Sequence, residues 1–111
     1  MQSNITPVIN EFIENIKNLL KNRLKKVILY GSYARGDYNN SSDIDIMILT
    51  DFSDEEIEEY REQIYDIAYD IELENNVFFS PLIRNIDVFN KRTDYIPFYR
   101  NVKEEGVVLV G

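Results

Sequence analysis

Apolar residues near the start of the chain recur every three or four positions, which is the spacing of one face of a helix. They are Ile5, Val8, Ile9, Phe12, Ile13, Ile16, Leu19 and Leu20. This pattern predicts an amphipathic helix over residues 5–20. Thr6 and Pro7 suit the N-cap and the first helical position, but Ile5 also fits the stripe, so a start one or two residues earlier stays open.

Two short apolar runs follow, and each is typical of a β-strand. Residues 27–30 are apolar throughout, which predicts a strand buried on both faces. The second run begins at Asp43 and alternates, so that its carboxylates share one face of the strand. The opposite face carries Ile44, Ile46 and Ile48. Residues 33–42, between the two runs, are rich in Asn, Ser, Gly and Asp, which predicts a loop.

The middle of the chain predicts a long helix. Residues 53–56 have the form of a capping box, and the helix is predicted over residues 53–74, ending at a pair of asparagines. Its apolar face consists of Ile57, Tyr60, Ile64, Ile67, Ala68 and Ile71. Tyr65 and Tyr69 lie at the edge of this stripe and are interpreted as partly buried core residues.

The last third of the chain predicts shorter elements. Residues 77–83 predict a third strand, in which Pro81 indicates either an edge strand or a bulge because proline has no N–H to donate. Two short helices and a terminal strand are predicted over residues 85–92, 97–105 and 107–110, with Gly106 as the stop of the second helix. The connector before the last helix and its first turn are rich in aromatic residues, with Tyr95, Ile96, Phe98 and Tyr99. This aromatic segment either completes the core, which we favour, or forms a surface that binds a partner.

The candidate chemistry lies around the loop between the first two strands. Asp43 and Asp45 share a face, and paired carboxylates suit Mg²⁺, a hard cation that takes oxygen ligands. Gly31 permits a sharp turn and a close approach to a ligand, and the Ser32 hydroxyl can donate to phosphate oxygens. Arg35 either contacts a phosphate or forms a salt bridge to a local carboxylate. A triphosphate held between this turn and the carboxylates fits phosphoryl or nucleotidyl transfer.

The motif Gly31-Ser32, ten residues and then Asp43-x-Asp45 resembles the signature of the DNA polymerase β-like nucleotidyltransferases, and the short chain resembles their minimal, single-domain members. The resemblance implies their α/β (α+β) fold, a small mixed β-sheet with helices packed on it. Asp43 and Asp45 would then be catalytic and would hold one or two Mg²⁺ ions. Gly31, Ser32 and Arg35 would bind the nucleotide. The alternative interpretation, a turn followed by two solvated aspartates, leaves the full spacing unexplained.

The same resemblance implies a substrate and a partner. Minimal members of the family are typically paired with a HEPN-domain toxin, usually a ribonuclease, and several transfer AMP from ATP to a tyrosine of that toxin. The chain would then be the antitoxin of a toxin–antitoxin pair. Its third strand departs from the family pattern, since it carries Phe78, Phe79 and Ser80 where active relatives place a third carboxylate. A third carboxylate would then have to come from another element that the fold brings to the site. The candidates are Asp70, Glu72 and Asp87.

Composition narrows the class further. A chain of 111 residues predicts one domain over residues 1–111. The absence of cysteine and histidine excludes disulfides and thiolate or imidazole metal sites, leaving oxygen-ligated Mg²⁺ or Mn²⁺. A net charge of −8 argues against direct nucleic-acid binding. With no signal peptide and no apolar run of about 20 residues, we expect a cytoplasmic protein without a membrane partner. Homo-oligomerisation stays open.

Three functions are compatible with this sequence. The leading hypothesis is Mg²⁺-dependent transfer of AMP to the partner toxin, since no accessory domain for selecting another acceptor is evident. The second is a catalytically impaired antitoxin that neutralises its partner by occlusion, an interpretation that the missing third carboxylate favours. Transfer to a small molecule ranks lowest, because it usually needs an added substrate domain.

Overall fold

A computed structural model describes residues 5–111 of the chain, and residues 1–4 lie outside the described part. The helices are α1 (Thr6–Leu20), α2 (Ser32–Arg35), α3 (Asp54–Asn75), α4 (Ile86–Arg92) and α5 (Pro97–Glu105), with a 3₁₀ turn at Lys21–Arg23. The strands are β1 (Leu24–Tyr30), β2 (Ile44–Thr50), β3 (Phe79–Asn85) and β4 (Val107–Val110). The predicted elements are found in the predicted order, with boundaries shifted by no more than three residues, and the short helix α2 begins the segment predicted as a loop.

The four described strands form one mixed sheet in the order β3-β2-β1-β4. β1 pairs antiparallel with β2 and with β4, whereas β2 and β3 run parallel. A parallel pair needs a crossover connection, and the long helix α3 supplies it. The predicted α/β class, a small mixed sheet with helices packed on it, is confirmed.

Side-chain alternation along the strands divides the core between the two faces of the sheet. On one face the isoleucines of β2 pack with α1 and α3 around Phe12, which is fully buried. On the other face Met47 and Leu49 pack with Phe89 of α4 and Val102 of α5. Residues 27–29 of β1 are buried, with successive side chains in the two clusters, as predicted for a strand covered on both faces.

The local signals for helix ends are confirmed. Ser53 caps α3: its hydroxyl accepts from the Glu56 N–H, and the Glu56 carboxylate accepts from the Ser53 N–H, the two halves of a capping box. Asn76 ends the helix in the left-handed conformation with φ 53°. Helix α1 begins at Thr6 with Ile5 as N-cap, so the earlier of the two predicted starts is correct.

Two predictions about aromatic residues need correction. Tyr65 and Tyr69 are exposed, at 47% and 58%, because the isoleucines and alanine of α3 already cover its contact with α1 and the sheet. The predicted core role of the aromatic segment holds only in part. Tyr99 is buried edge-on against the Phe89 ring, but Tyr95 is exposed.

The position of Pro81 decides between the two alternatives predicted for it. Strand β3 lies at an edge of the sheet, where a missing backbone donor is tolerated. Its pairing with β2 runs without a register shift, with Pro81 opposite Ile46. The edge-strand prediction is therefore correct, and the described pairing contains no bulge.

Gly106 ends α5 for a steric reason. Its backbone is extended, with φ −71° and ψ 152°, so no unusual conformation demands glycine. A Cβ there would lie 2.3 Å from both Ile28 Cγ2 and the Val102 carbonyl oxygen. We expect Gly106→Ala to lower the free energy of unfolding by about 1–3 kcal/mol, the usual cost of overpacking. Urea unfolding followed by circular dichroism measures this, with the exposed Glu104→Ala as a control; equal midpoints for the two variants would contradict the steric argument.

Candidate functional site

The turn after β1 is held against the second strand. Gly31 has φ 73° and ψ −154°, a backbone conformation that side chains with a Cβ rarely adopt. A Cβ at this position would also lie only 2.2 Å from Oδ2 of Asp45. Glycine is thus required both by the backbone dihedral and by the approach of the carboxylate.

The two aspartates stand at the beginning of β2. Asp45 is the second residue of the strand and is partly buried, whereas Asp43 precedes the strand and is exposed. Asp45 lies on the face of Met47 and Leu49, opposite the buried isoleucines, so the predicted alternation is present. Across the sheet its register partners are Tyr30 on β1 and Ser80 on β3.

The surroundings of Asp45 disfavour the ionised form of its carboxyl group. Burial raises its pKa above the usual range, and the negative charge of Asp43 raises it further, while Arg35 acts in the opposite direction. The two carboxylates are therefore close enough to repel each other. A cation placed between them would relieve this repulsion, so their donor atoms and electrostatics fit a hard divalent ion such as Mg²⁺.

Ser32 and Arg35 are the first and last residues of the short helix α2. Arg35 Nε donates to Asp37 Oδ2 at 3.2 Å, and its guanidinium lies 3.6 Å from Glu105 Oε2. The local salt bridge predicted as one role of Arg35 is thus present. Its charge also acts on Asp45, and exposed ion pairs of this kind cost little to exchange for a phosphate, so the second role remains compatible with the geometry.

The loop before the aspartates is a network of turn contacts. The Asn39 N–H donates to the Ser42 hydroxyl at 2.9 Å, and the Ser41 N–H donates to Asn39 Oδ1 at 2.8 Å. These bonds assign Ser41 and Ser42 to the turn, as predicted. These hydrogen bonds hold the turn that directly precedes Asp43.

A third carboxylate does not join Asp43 and Asp45 within residues 5–111. Among these residues no group of three or more acidic, histidine or cysteine side chains is arranged to hold a metal ion. Glu72 accepts a hydrogen bond from the Phe79 N–H at 2.7 Å, at the start of β3. The position beside Asp45 on that strand is Ser80. A metal ion would therefore take two carboxylates from this chain and fill its shell with water and substrate oxygens.

Tyr30 is a site residue that sequence reasoning missed. It lies opposite Asp45 on β1, and burial together with the Asp45 charge raises its pKa to about 12, although Arg84 opposes this. The Phe98 ring packs edge-on against it, with centroids 5.8 Å apart. The only signal in the sequence was its place before Gly31, which we interpreted as the end of a strand.

The raised pKa of Asp45 predicts that the site costs stability. Its ionised form is disfavoured in the folded chain, so this cost is present at neutral pH and disappears as pH falls through the raised pKa toward the unfolded value of about 3.9. We expect Asp45→Asn to raise the melting temperature of the metal-free protein at pH 7, because the substitution removes the disfavoured charge. Thermal melts at pH 7 and pH 4 measure this.

Asp43→Asn is the matched control for that experiment. It removes the charge of Asp43 but leaves Asp45 buried, so it should stabilise the fold by less than Asp45→Asn does. A gain from Asp45→Asn that is as large at pH 4 as at pH 7 would show that ionisation is not its cause.

None of the described helices is long and apolar enough to cross a membrane.

A family model described as "Polymerase beta, Nucleotidyltransferase" matches residues 14–111. Three similar proteins of Methanocaldococcus jannaschii are each named "Putative protein adenylyltransferase". The first is 39% identical over 101 residues, covering 91% of this chain and 93% of the relative. The others are 36% identical over 103 residues and 31% over 104, covering 93% and 92% of this chain and 96% and 94% of their own.

Proposed function

The chain belongs to the polymerase β nucleotidyltransferase family and is a nucleotidyltransferase, and on this premise we propose that it transfers AMP from ATP to a tyrosine hydroxyl of a partner protein with the help of Mg²⁺. One observation carries the proposal. The glycine turn after β1 lies directly against the Asp45 carboxylate, and Asp43 is near enough to raise the pKa of Asp45, so the backbone of the turn and two carboxylates meet at one place.

Each site residue has a role in binding the triphosphate. Asp43 and Asp45 would hold Mg²⁺, which when bound neutralises phosphate charge and orients the oxygens of the triphosphate. Gly31 lets the backbone approach a phosphate closely, and the Ser32 hydroxyl donates to it. Arg35 exchanges its exposed contacts with Asp37 and Glu105 for a phosphate oxygen.

The reaction is a substitution at the α-phosphorus. The phenol oxygen of the acceptor bonds to that phosphorus, the bond to the bridging oxygen of the β-phosphate breaks, and pyrophosphate leaves with that electron pair. The family resemblance implies a third carboxylate on β3 that would help to activate the phenol, but β3 carries Ser80 in register with Asp45, so we propose that the phenolic proton passes to solvent. This chain mainly positions the triphosphate and complements its charge, and these two effects usually account for most of the rate acceleration in such transfers.

The names of the similar chains, "Putative protein adenylyltransferase", support a protein acceptor, and these chains match more than nine-tenths of this one. As the sequence resemblance implies, we assign the acceptor to a HEPN-domain toxin in the cytoplasm, with this chain as its antitoxin.

A second function is favoured by one specific observation. Ser80 lies in register with Asp45 on β3, the strand on which the family resemblance implies a third carboxylate, and no described group of three ligands is present. A chain with only two acidic ligands could still bind ATP and its partner while transferring AMP slowly or not at all. It would then neutralise the toxin by occlusion. Transfer to a small molecule remains the lowest-ranked alternative.

Intact-mass spectrometry of the co-expressed partner tests the proposal. After incubation with ATP and Mg²⁺ we expect the partner to gain one or more AMP residues, and peptide mapping should place them on tyrosine. Reactions without ATP, or with the partner tyrosine changed to Phe, are the controls. A stable complex with no gain in mass would favour the occlusion function instead.

A further inference from the structure

A cavity of about 570 Å³ lies beside the candidate site, at the end of the sheet where β2 and β3 begin. One part of its wall comes from the loop before β2 and includes Tyr33, Asn40 and Ser42. Another part comes from the junction of α3 and β3 and includes Asn76 and Phe78. Its volume falls in the range of about 300–1,000 Å³ that is typical of small-molecule pockets. Asp43 and Asp45 are not among the described residues that line it.

Two residues that line the cavity are chain neighbours of residues assigned to the phosphate site. Ser42 directly precedes Asp43, and Tyr33 directly follows Ser32. The Tyr33 phenol is near enough to Asp43 for that carboxylate to raise its pKa, after the larger effects of burial and of Tyr38. A ligand with an extended shape could therefore place one end among the phosphate-binding residues and the other end in the cavity.

We infer that this cavity binds the adenine base of the nucleotide whose phosphates lie at Gly31, Asp43 and Asp45, an inference that rests on the proposed function. Phe78 supplies the aromatic face, since its side chain is 64% exposed although it stands beside buried Phe79 at the start of β3. The rings of Tyr33 and Tyr38 stack with their centroids 4.4 Å apart, and both residues line the cavity. Aromatic side chains of this kind bind bases by stacking.

The polar lining selects adenine over guanine. None of the described residues that line the cavity is charged, and four of them are asparagines: Asn39, Asn40, Asn75 and Asn76. An asparagine amide matches the adjacent donor and acceptor of adenine at N6 and N7, whereas guanine at O6 and N7 is usually read by Arg or Lys. Asn40 and Asn76 make no side-chain hydrogen bond within residues 5–111. Asn39 and Asn75 each already use one end of the amide.

Calorimetric titration of the wild-type protein with ATP, GTP and inorganic tripolyphosphate, all with Mg²⁺, provides the test. Stacking predicts that Phe78→Ala weakens ATP binding by about 5- to 100-fold and leaves tripolyphosphate binding unchanged. Tyr95→Ala is the matched control, because Tyr95 is equally exposed, at 66%, and lies in the connector between α4 and α5. Tyr95→Ala should alter neither the affinity for ATP nor the affinity for tripolyphosphate.

A second variant tests the selection of adenine. Asn76→Gly removes the amide but suits the left-handed backbone at this position, where φ is 53°. We expect the preference for ATP over GTP to fall by about 5-fold or more, as for the loss of one amide–adenine pair. A wild-type protein that binds GTP as tightly as ATP would overturn the inferred selectivity.

The outcomes separate the base site from the proposed function. Unchanged ATP affinity in Phe78→Ala, or an equal loss of ATP and tripolyphosphate affinity, would overturn the base site even if AMP transfer occurs. Conversely, Phe78-dependent ATP binding without AMP on any protein would support the base site and contradict the transferase function.

Discussion

Replacing Asp43 and Asp45 together with Asn should abolish AMP transfer to the partner, with a loss of at least about 10³-fold in rate. A single preorganised electrostatic group is commonly worth about 10²–10³ in rate, and this change removes both acidic ligands of the site. The fold should survive, because burial and mutual repulsion already disfavour the ionised form of Asp45. The measurement is the time course of AMP incorporation into the partner by intact-mass spectrometry.

The control for this result is whether the double variant still forms a complex with its partner. Size-exclusion chromatography of the double variant with its partner should show the wild-type elution volume, and the melting temperature should be equal or higher. If the double variant still protects cells from the toxin while transferring no AMP, protection comes from binding, and the occlusion function replaces the transferase function. If AMP transfer persists at the wild-type rate, Asp43 and Asp45 are not the catalytic residues.

Gly31→Ala should have the second largest effect on activity, of about 10²-fold or more. The new Cβ must adopt a strained dihedral at φ 73° and displace the Asp45 carboxylate, whose Oδ2 would lie only 2.2 Å away. Strain of this type costs about 1–3 kcal/mol, and a shift of about 1 Å in a catalytic group can cost 10²-fold in rate. AMP incorporation and urea unfolding should be measured on the same preparation.

Gly36→Ala separates the two causes. Gly36 has a similar dihedral, φ 86°, but a Cβ there would meet nothing within 4 Å. It should therefore lose stability to backbone strain while retaining most of the transfer activity. If Gly36→Ala loses as much activity as Gly31→Ala, general disorder of the loop explains both losses, and the contact with Asp45 is not the reason.

The candidate site has two described carboxylates, with a serine on β3 beside Asp45. With Ser80 beside Asp45, the described chain offers two carboxylates on one face and no third one in register. The partly buried Tyr30 and the edge-on Phe98 ring fill the neighbouring surface on β1 and α5.

Much of the architecture could be predicted from local sequence because its signals are short-ranged. Helical periodicity, the capping box at Ser53 and strand alternation after Asp43 each depend on residues a few positions apart, and each element was found in its predicted order. The spacing from Gly31 to Asp45 likewise predicts a turn after the first strand and two carboxylates at the start of the second. The resemblance to the family rests on this motif, and the family model matches residues 14–111.

Only the tertiary structure decided which distant residues meet. The register that places Ser80 and Tyr30 beside Asp45 depends on the packing of whole strands against two helical layers, and no short segment encodes it. The same holds for the contact of Gly106 with Ile28 and for the cavity between the loop and the α3–β3 junction. The sequence alone thus determined the elements and their candidate chemistry, whereas close packing between segments far apart in the chain decided the shape of the site.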